Sequence, residues 1–384
     1  MNQKTMPLEQ VKKVELFGEE AGIAGGVRLF FLPAVDGHYG LSFQVQCGAW
    51  DTLSTQEEAC HLVEHLLVAT PVYGGNMPSL IDAYANFLSD SSAATSMFRT
   101  TFTAIPYPEK GKQNPAHLLK FLDYLYQALY EAELTEEVFL REKEYILQEL
   151  DENKLFISNN CASFKRYVGG SDFTRFYKSD AKKVQALSLG MCQNFYKEVF
   201  CKAPLDVVLM GDFPIDDVVA FFAEKKAPSW KRPPQKRIKF KPFIRLTNNA
   251  IEVPLQTQED EALKHMWSIA FFKQLETLLD FPEDGHVRVT NLEVCTLYIC
   301  ENTLTKRTPS AIKQALLNVT ALSKTDYKSI KKAFIKTYTE KEKCVDASDL
   351  DLTPRYCDLI AEAHELDFST FKTFAIQQKS LPIK

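Results

Sequence analysis

The sequence predicts an α+β protein built from two consecutive, related domains, and three observations carry that expectation. Strand-like and helix-like patterns alternate along the first 226 residues. A break rich in Pro, Lys and Arg, APSWKRPPQKRIKFKP at Ala227–Pro242, then interrupts them. Beyond the break a similar order of elements recurs in weaker form, without a residue-level repeat. The expected partition is a domain over 1–226, a solvated basic linker over 227–242 and a shorter second domain over 243–384. A chain of 384 residues allows each half a core of its own.

The elements read in order as follows. Val27–Pro33 and Leu41–Cys47 are β-rich runs on either side of the turn-like Asp36-Gly37. A helix is expected to open near Thr55, where Thr55-Gln56-Glu57-Glu58 has the form of a capping box, and to stop before Pro71. Pro78–Leu88 predicts a second helix with Pro in its first turn. Ser92–Ile105, rich in Thr and Phe and free of Gly and Pro, reads as one long strand. Pro115–Glu133 and Glu136–Lys154 are amphipathic helices, the second following Thr135 as N-cap. Leu187–Phe200 reads as helix, Leu205–Met210 as strand and Ile215–Lys225 as helix. After the break come strand-like Phe243–Pro254, a helix at Glu261–Leu279, strand-like Val287–Cys300, and helices near Ser310–Leu322 and Asp326–Lys341.

Composition narrows the function. The net charge of −5 argues against a general nucleic-acid binder, which is usually strongly basic. The nine cysteines are scattered without a CxxC pair, so neither a thiolate metal site nor a disulfide framework is signalled. The N-terminal MNQKTMPLEQVKK lacks the apolar run of a signal peptide. No apolar stretch approaches the roughly 20 residues that span a bilayer. A cytoplasmic protein with no membrane span is the expectation.

The chemistry concentrates at His61-Leu62-Val63-Glu64-His65. Two histidines four apart on a helix project from one face within reach of one ion. Glu64 lies close to that face, placed to take a proton from water that the metal has acidified. H-x-x-E-H is the inverzincin pattern, and a chance match is uncommon in a chain with seven histidines. The alternative is a solvated helix face that carries two histidines by accident. A catalytic zinc needs a third protein ligand, usually a carboxylate. The helix around Arg141–Glu149 offers several, and Glu142 and Glu149, two turns apart, share a face with Ile146. Glu144 points elsewhere, and on geometry alone any of these could be a surface glutamate.

Here the chain resembles the insulinase/pitrilysin family of zinc peptidases, which includes the mitochondrial processing peptidase and small bacterial members. That family pairs HxxEH with a later helix carrying E-x6-E, whose distal glutamate completes the zinc site. The resemblance implies one zinc ion per chain on His61, His65 and Glu149, with Glu64 as general base and Glu142 as supporting catalytic carboxylate. Polar Pro108–Pro115 absorbs a slightly long gap between the two motifs. Gly48-Ala49-Trp50-Asp51 is similar to a family turn ahead of the motif. Ser92-Ala93-Ala94-Thr95, with Thr100 and Phe102 beyond, resembles the strand on which the family binds substrate backbone by β-augmentation. Leu187–Phe200 followed by VVLMGDF at Val207–Phe213 resembles the elements closing the family's first domain.

What the resemblance implies is a pair of α/β-roll domains, antiparallel-rich sheets with helices packed on them, forming one half of a clamshell. The implied activity is zinc-dependent endopeptidase action on unfolded peptides or a small precursor. The implied partner is a second copy or a related subunit, as a homodimer or a heterodimer. Two departures bear on this. Ser92 stands where the family has Asn, which weakens one substrate contact. The second half lacks the family's Arg-x6-Tyr pair; Arg288 and Tyr298, ten apart, read as ordinary strand residues. The rival reading is a weakly active or non-catalytic partner subunit of a heterodimeric peptidase.

Overall fold

The computed structural model describes residues 11–16, 26–34, 38–52, 56–86, 88–106, 114–152, 181–225, 229, 243–247, 250–256, 260–279, 287–291, 295–301, 307–339 and 347–383. Thr55, Asp36-Gly37, nearly all of the basic break at 227–242 and most of the polar segment at 108–115 lie outside them. The chain divides into two compact units. The first comprises Met1–Ala162, Ser171–Lys236 and Lys341–Pro354; the second comprises Ser163–Gly170, Arg237–Glu340 and Arg355–Lys384.

The first unit is built on a six-stranded sheet. Its strands are β1 (Lys12–Leu16), β2 (Val27–Leu32), β3 (Gly40–Val45), β4 (Leu88–Thr95), β5 (Thr100–Pro106) and β6 (Leu205–Met210), in the spatial order β1-β2-β6-β3-β5-β4. β6 enters last and lies between β2 and β3, parallel to the former and antiparallel to the latter. The other pairings are antiparallel. Alternation sorts the two faces. Leu29, Phe31, Leu41, Phe43, Phe102, Val207 and Leu209 join the helix-covered core. The opposite face is polar where the register aligns Arg28, Asp206 and Gln44 across three strands. Arg28 donates twice to the Asp206 carboxylate, each bond 2.6 Å.

A late segment supplies further acceptors on that face. Ser42 Oγ donates to Asp351 Oδ1 at 2.9 Å, Thr103 donates to the same oxygen, and Gln44 Nε2 donates to the Asp351 carbonyl at 2.9 Å. Ser42, Gln44 and Thr103 are fully buried, so Asp351 supplies acceptors they would otherwise lack. Burial nonetheless holds its carboxyl above the usual value, against the three hydroxyls that donate to it.

Helices α1 (Ala59–Ala69), α2 (Leu80–Asn86), α3 (Pro115–Tyr130), α4 (Glu136–Glu152), α5 (Ala181–Ala186), α6 (Leu189–Glu198) and α7 (Ile215–Glu224) complete the described elements that precede the second unit's sheet. α1 is central and touches α2, α3, α4, α6 and β4. Its sequence ACHLVEHLLVA explains this. Leu62, Val63, Leu66 and Leu67 are fully buried, which leaves only the histidine face open.

The second unit repeats the order on a smaller scale. β7 (Arg245–Leu246), β8 (Ala250–Gln256), β9 (Val287–Asn291) and β10 (Cys295–Glu301) form a sheet in the order β7-β8-β10-β9. The succession β8, α8 (Glu261–Glu276), β9, β10, α9 (Thr308–Thr320), α10 (Lys324–Thr339) parallels β3, α1, β4, β5, α3, α4. The sheet order β8-β10-β9 likewise parallels β3-β5-β4. The fold is α+β, and the second, smaller unit repeats part of the first unit's element order. α8 is apolar on most of its surface and buries Trp267 stacked on Phe271, with ring centroids 5.3 Å apart. Two further helices follow, α11 (Ala347–Glu365), which contains Pro354, and α12 (Phe368–Gln378).

The structure departs from the sequence reading at several points; Phe243–Pro254, for one, divides into the paired β7 and β8. Ser92–Ile105 is a hairpin rather than one strand, turning at 96–99, where Ser96 N donates to the Arg99 carbonyl at 2.8 Å. Val287–Cys300 likewise splits into paired β9 and β10. Neither 96–99 nor 292–294 contains Gly or Pro, so composition gave no break there. α1 begins at Ala59, not near Thr55, because Glu58 has φ 76° and ψ −9°, a left-handed conformation that no α-helix interior accommodates.

Candidate metal centre

α1 and α4 lie side by side and run in opposite directions, as their contacts establish. Glu149 faces both histidines, Glu142 faces His65, and Arg141 reaches the carbonyl of Ala69. Buried Ile146 lies between the two glutamates on the inward face of α4. The i,i+4 spacing of α1 and the two-turn spacing of α4 therefore bring three donors to one point. His61 Nε2 and His65 Nε2 each lie 3.6 Å from Glu149 Oε2. The three donor atoms all fall within 4.8 Å of one another. The imidazoles meet edge-on with centroids 4.9 Å apart.

The remaining ring nitrogens face carboxylates as well. His65 Nδ1 is 3.6 Å from Glu142 Oε2, and His61 Nδ1 is 3.5 Å from Glu58 Oε2. Glu142 is buried; its second oxygen accepts from Arg141 Nε at 2.8 Å. Glu64 is buried too, and its charge acts on both imidazoles. Four carboxylates thus surround two histidines, and the titration behaviour follows. Burial opposes charge on His65, yet Glu142 and Glu149 outweigh it and push its pKa up to about 9. His61 is raised in the same way, burial being outweighed by Glu58 and Glu64. Burial alone would raise Glu142, but His65 and Arg141 hold it below the usual carboxylate value. His65 lowers Glu149 against a smaller effect of burial.

This donor set fits zinc. Tetrahedral bonds of about 2.0–2.1 Å place donor atoms about 3.3 Å apart, close to the 3.6 Å contacts here. Two imidazole nitrogens and one carboxylate leave a fourth position open, the pattern of catalytic rather than structural sites. Glu149 is the most exposed of the three, so the site opens on its side.

The strand expected to bind substrate lies beside α1. Ser92, Ala93, Ala94 and Thr95 occupy β4, the terminal strand, and pair with Thr103, Phe102, Thr101 and Thr100 of β5. The other edge of β4 has no sheet partner among the described residues. The Ser92 hydroxyl points to the polar face of the sheet, where it donates to Asp351 Oδ2 at 3.3 Å. Gly48 sits against the hairpin turn: a Cβ there would come within 2.6 Å of Met97 and Arg99 backbone atoms. That proximity lets Ala49 N and Trp50 N donate to the carbonyls of Ser96 and Met97. Tyr298 is buried in the second core, and Arg288 lies on β9 in register with Ile299 of β10. Sequence reasoning missed Glu58, which it placed in a capping box, and Asp351, for which no local signal exists.

With this geometry in hand, likeness to solved structures becomes informative. The chain superposes on pitrilysin with a TM-score of 0.67 at 12% identity, covering 98% of this chain and 44% of that one. The chain has the fold of the insulinase/pitrilysin peptidases. It also matches the ferredoxin protease FusC, solved in complex with Arabidopsis ferredoxin, at a TM-score of 0.61 and 14% identity over 99% of this chain and 47% of that one. A peptidase M16 inactive domain from Pseudomonas fluorescens matches at 0.60 and 12% identity, over 96% of this chain and 94% of that one. The chain thus spans about half the length of pitrilysin and FusC. No protein-family model and no curated protein matches it. Among the described residues no helix is long and apolar enough to cross a membrane.

Proposed function

We propose that this protein is a zinc-dependent endopeptidase that hydrolyses unfolded peptides or a small precursor peptide. The observation that carries the reading is the convergence of His61 Nε2, His65 Nε2 and Glu149 Oε2 on one point beside buried Glu64. When bound, zinc supplies Lewis acidity, which acidifies water and polarises the scissile carbonyl. His61, His65 and Glu149 hold the ion, one per chain. Glu142 fixes the orientation of His65 through Nδ1. Glu64 accepts a proton from the attacking water at its carboxylate and returns it to the leaving amine nitrogen. β4 offers its unpaired edge to an extended peptide, so that Ser92–Thr95 bind through main-chain groups.

Because the chain spans half the length of pitrilysin, the proposal includes a second half, supplied by another copy or a related subunit, to close a clamshell chamber. Likeness to an M16 domain described as inactive favours one rival, a partner subunit with little activity of its own. Cleavage of an unstructured peptide library by the zinc-loaded chain, beside Glu64→Gln, separates the two. The peptidase reading expects a rate at least about 100-fold lower in the variant. Equal cleavage by both proteins overturns it, and cleavage by neither favours the subunit reading.

A further inference from the structure

We infer that Glu58 is a positioning residue for His61, carried at the cost of a strained backbone turn. The inference deepens the zinc reading and rests on it.

Glu58 is the N-cap of α1 but does no capping with its side chain. The residues favoured there, Ser, Thr, Asp and Asn, accept a hydrogen bond from an N–H of the first turn. The Glu58 side chain makes no such bond, and its backbone has φ 76°. That region suits glycine, which has no Cβ to clash; a long side chain in it is uncommon. A glutamate that neither caps nor relaxes the turn has another use for its carboxylate. Its Oε2 lies 3.5 Å from His61 Nδ1, with the side chain only 12% exposed.

The arrangement mirrors the other ligand. His65 is held between Glu142 at Nδ1 and the shared point at Nε2. His61 is held between Glu58 at Nδ1 and the same point at Nε2. A carboxylate at Nδ1 keeps the proton there, frees Nε2 for a metal and fixes the ring plane. The strained turn is also clamped. Neighbouring Glu57 is buried and ion-paired with Lys183 of α5, which pins the chain just before it turns into α1. Strain that persists under such constraint is concentrated where function needs it.

Two effects of opposite sign follow for Glu58→Gly, which relieves the backbone and deletes the carboxylate. The metal-free variant melts at a higher temperature than the wild type, because glycine adopts the turn without strain. Its zinc affinity falls about 10-fold or more, the usual consequence of losing a partner behind a ligand. Glu58→Gln keeps an acceptor oxygen for Nδ1–H, so its affinity stays within about threefold of the wild type.

The test is zinc titration of the purified, metal-free full chain against a chelating indicator, with melting curves of the same samples and His61→Ala as control. Wild-type protein that binds no zinc, or binds it no better than His61→Ala, overturns the zinc reading and this inference with it. Zinc bound by the wild type, lost in His61→Ala and bound equally well by Glu58→Gly overturns the inference alone. So does a Glu58→Gln variant as weak as Glu58→Gly, since the loss would then follow net charge rather than the contact. A metal-free Glu58→Gly protein that melts below the wild type refutes the strain.

Discussion

Raising the pH from about 7 to about 9 should tighten zinc binding and, in the same interval, weaken the metal-free protein. Both effects come from His65. Its pKa in the metal-free fold is about 9, because Glu142 and Glu149 outweigh the burial that opposes its charge. A ligand must be deprotonated to bind metal, so protons compete with the ion. With a pKa of about 9, about 1% of His65 is neutral at pH 7 and about half at pH 9, which predicts an apparent affinity about 50-fold tighter at the higher pH. His61, raised as well, adds to that slope. The stability effect runs the other way. A histidine whose folded pKa lies above its unfolded value of 6.5 stabilises the fold fully below 6.5 and loses that contribution as pH rises through about 9. At about 1.4 kcal/mol per pH unit the contribution is about 3 kcal/mol, counted once for His65 and its two glutamates together. Indicator competition in pH-matched buffers, corrected for the indicator's own protonation, reads the affinity; urea unfolding with chelator present reads the stability. An affinity constant to within about threefold between pH 7 and pH 9 would refute the reasoning, because the histidines would then not be held protonated by their neighbours.

Substitutions at three positions test the framework around the site. Ile146→Ala empties a fully buried position between the two α4 glutamates and should cost about 2–5 kcal/mol in urea unfolding, with weaker zinc binding as Glu149 loses its support. Gly48→Ala places a Cβ 2.6 Å from backbone atoms of Met97 and Arg99, which cannot move aside as a side-chain tip could, and should cost about 1–3 kcal/mol; an unchanged melting temperature would show that the turn yields freely. Asp351→Ala strips the acceptor from buried Ser42 and Thr103, at about 1–3 kcal/mol for each hydroxyl left unpaired, and Asp351→Asn should recover part of that loss in the same unfolding assay.

What the sequence made readable follows the range of the interactions. His61 and His65 share a face because four residues make about one helical turn, and Glu142 and Glu149 share one because seven make two. Both facts are local, and each needs only a helix in the right place. The pairing of the two helices is not local; the motif resemblance supplied it. Glu58 escaped because its role depends on a single left-handed residue, whereas Thr55-Gln56-Glu57-Glu58 offered a regular helix start. The division of Ser92–Ile105 and of Val287–Cys300 into paired strands escaped because neither 96–99 nor 292–294 contains Gly or Pro. The sequence reading names no element beyond Lys341; α11 lies there and passes through Pro354, a residue that helix interiors ordinarily exclude. Asp351 carried no signal at all, since its partners Ser42, Ser92 and Thr103 lie 309, 259 and 248 residues away.

That last separation bears on how the polypeptide comes to be folded. The sheet that packs against α1 takes β6 into its interior only after about two hundred residues have been made, and its polar face waits for Asp351, about 140 residues later still. During synthesis the first unit therefore emerges before it can be finished, with Ser42, Gln44 and Thr103 still turned toward water. A fragment ending at residue 226 would stay in that unfinished condition, marginal and prone to associate through the incompletely covered sheet. Supplying residues 347–354 as a separate peptide should protect the β3 and β5 amides of such a fragment from hydrogen exchange, which would make the late segment a measurable last step of assembly.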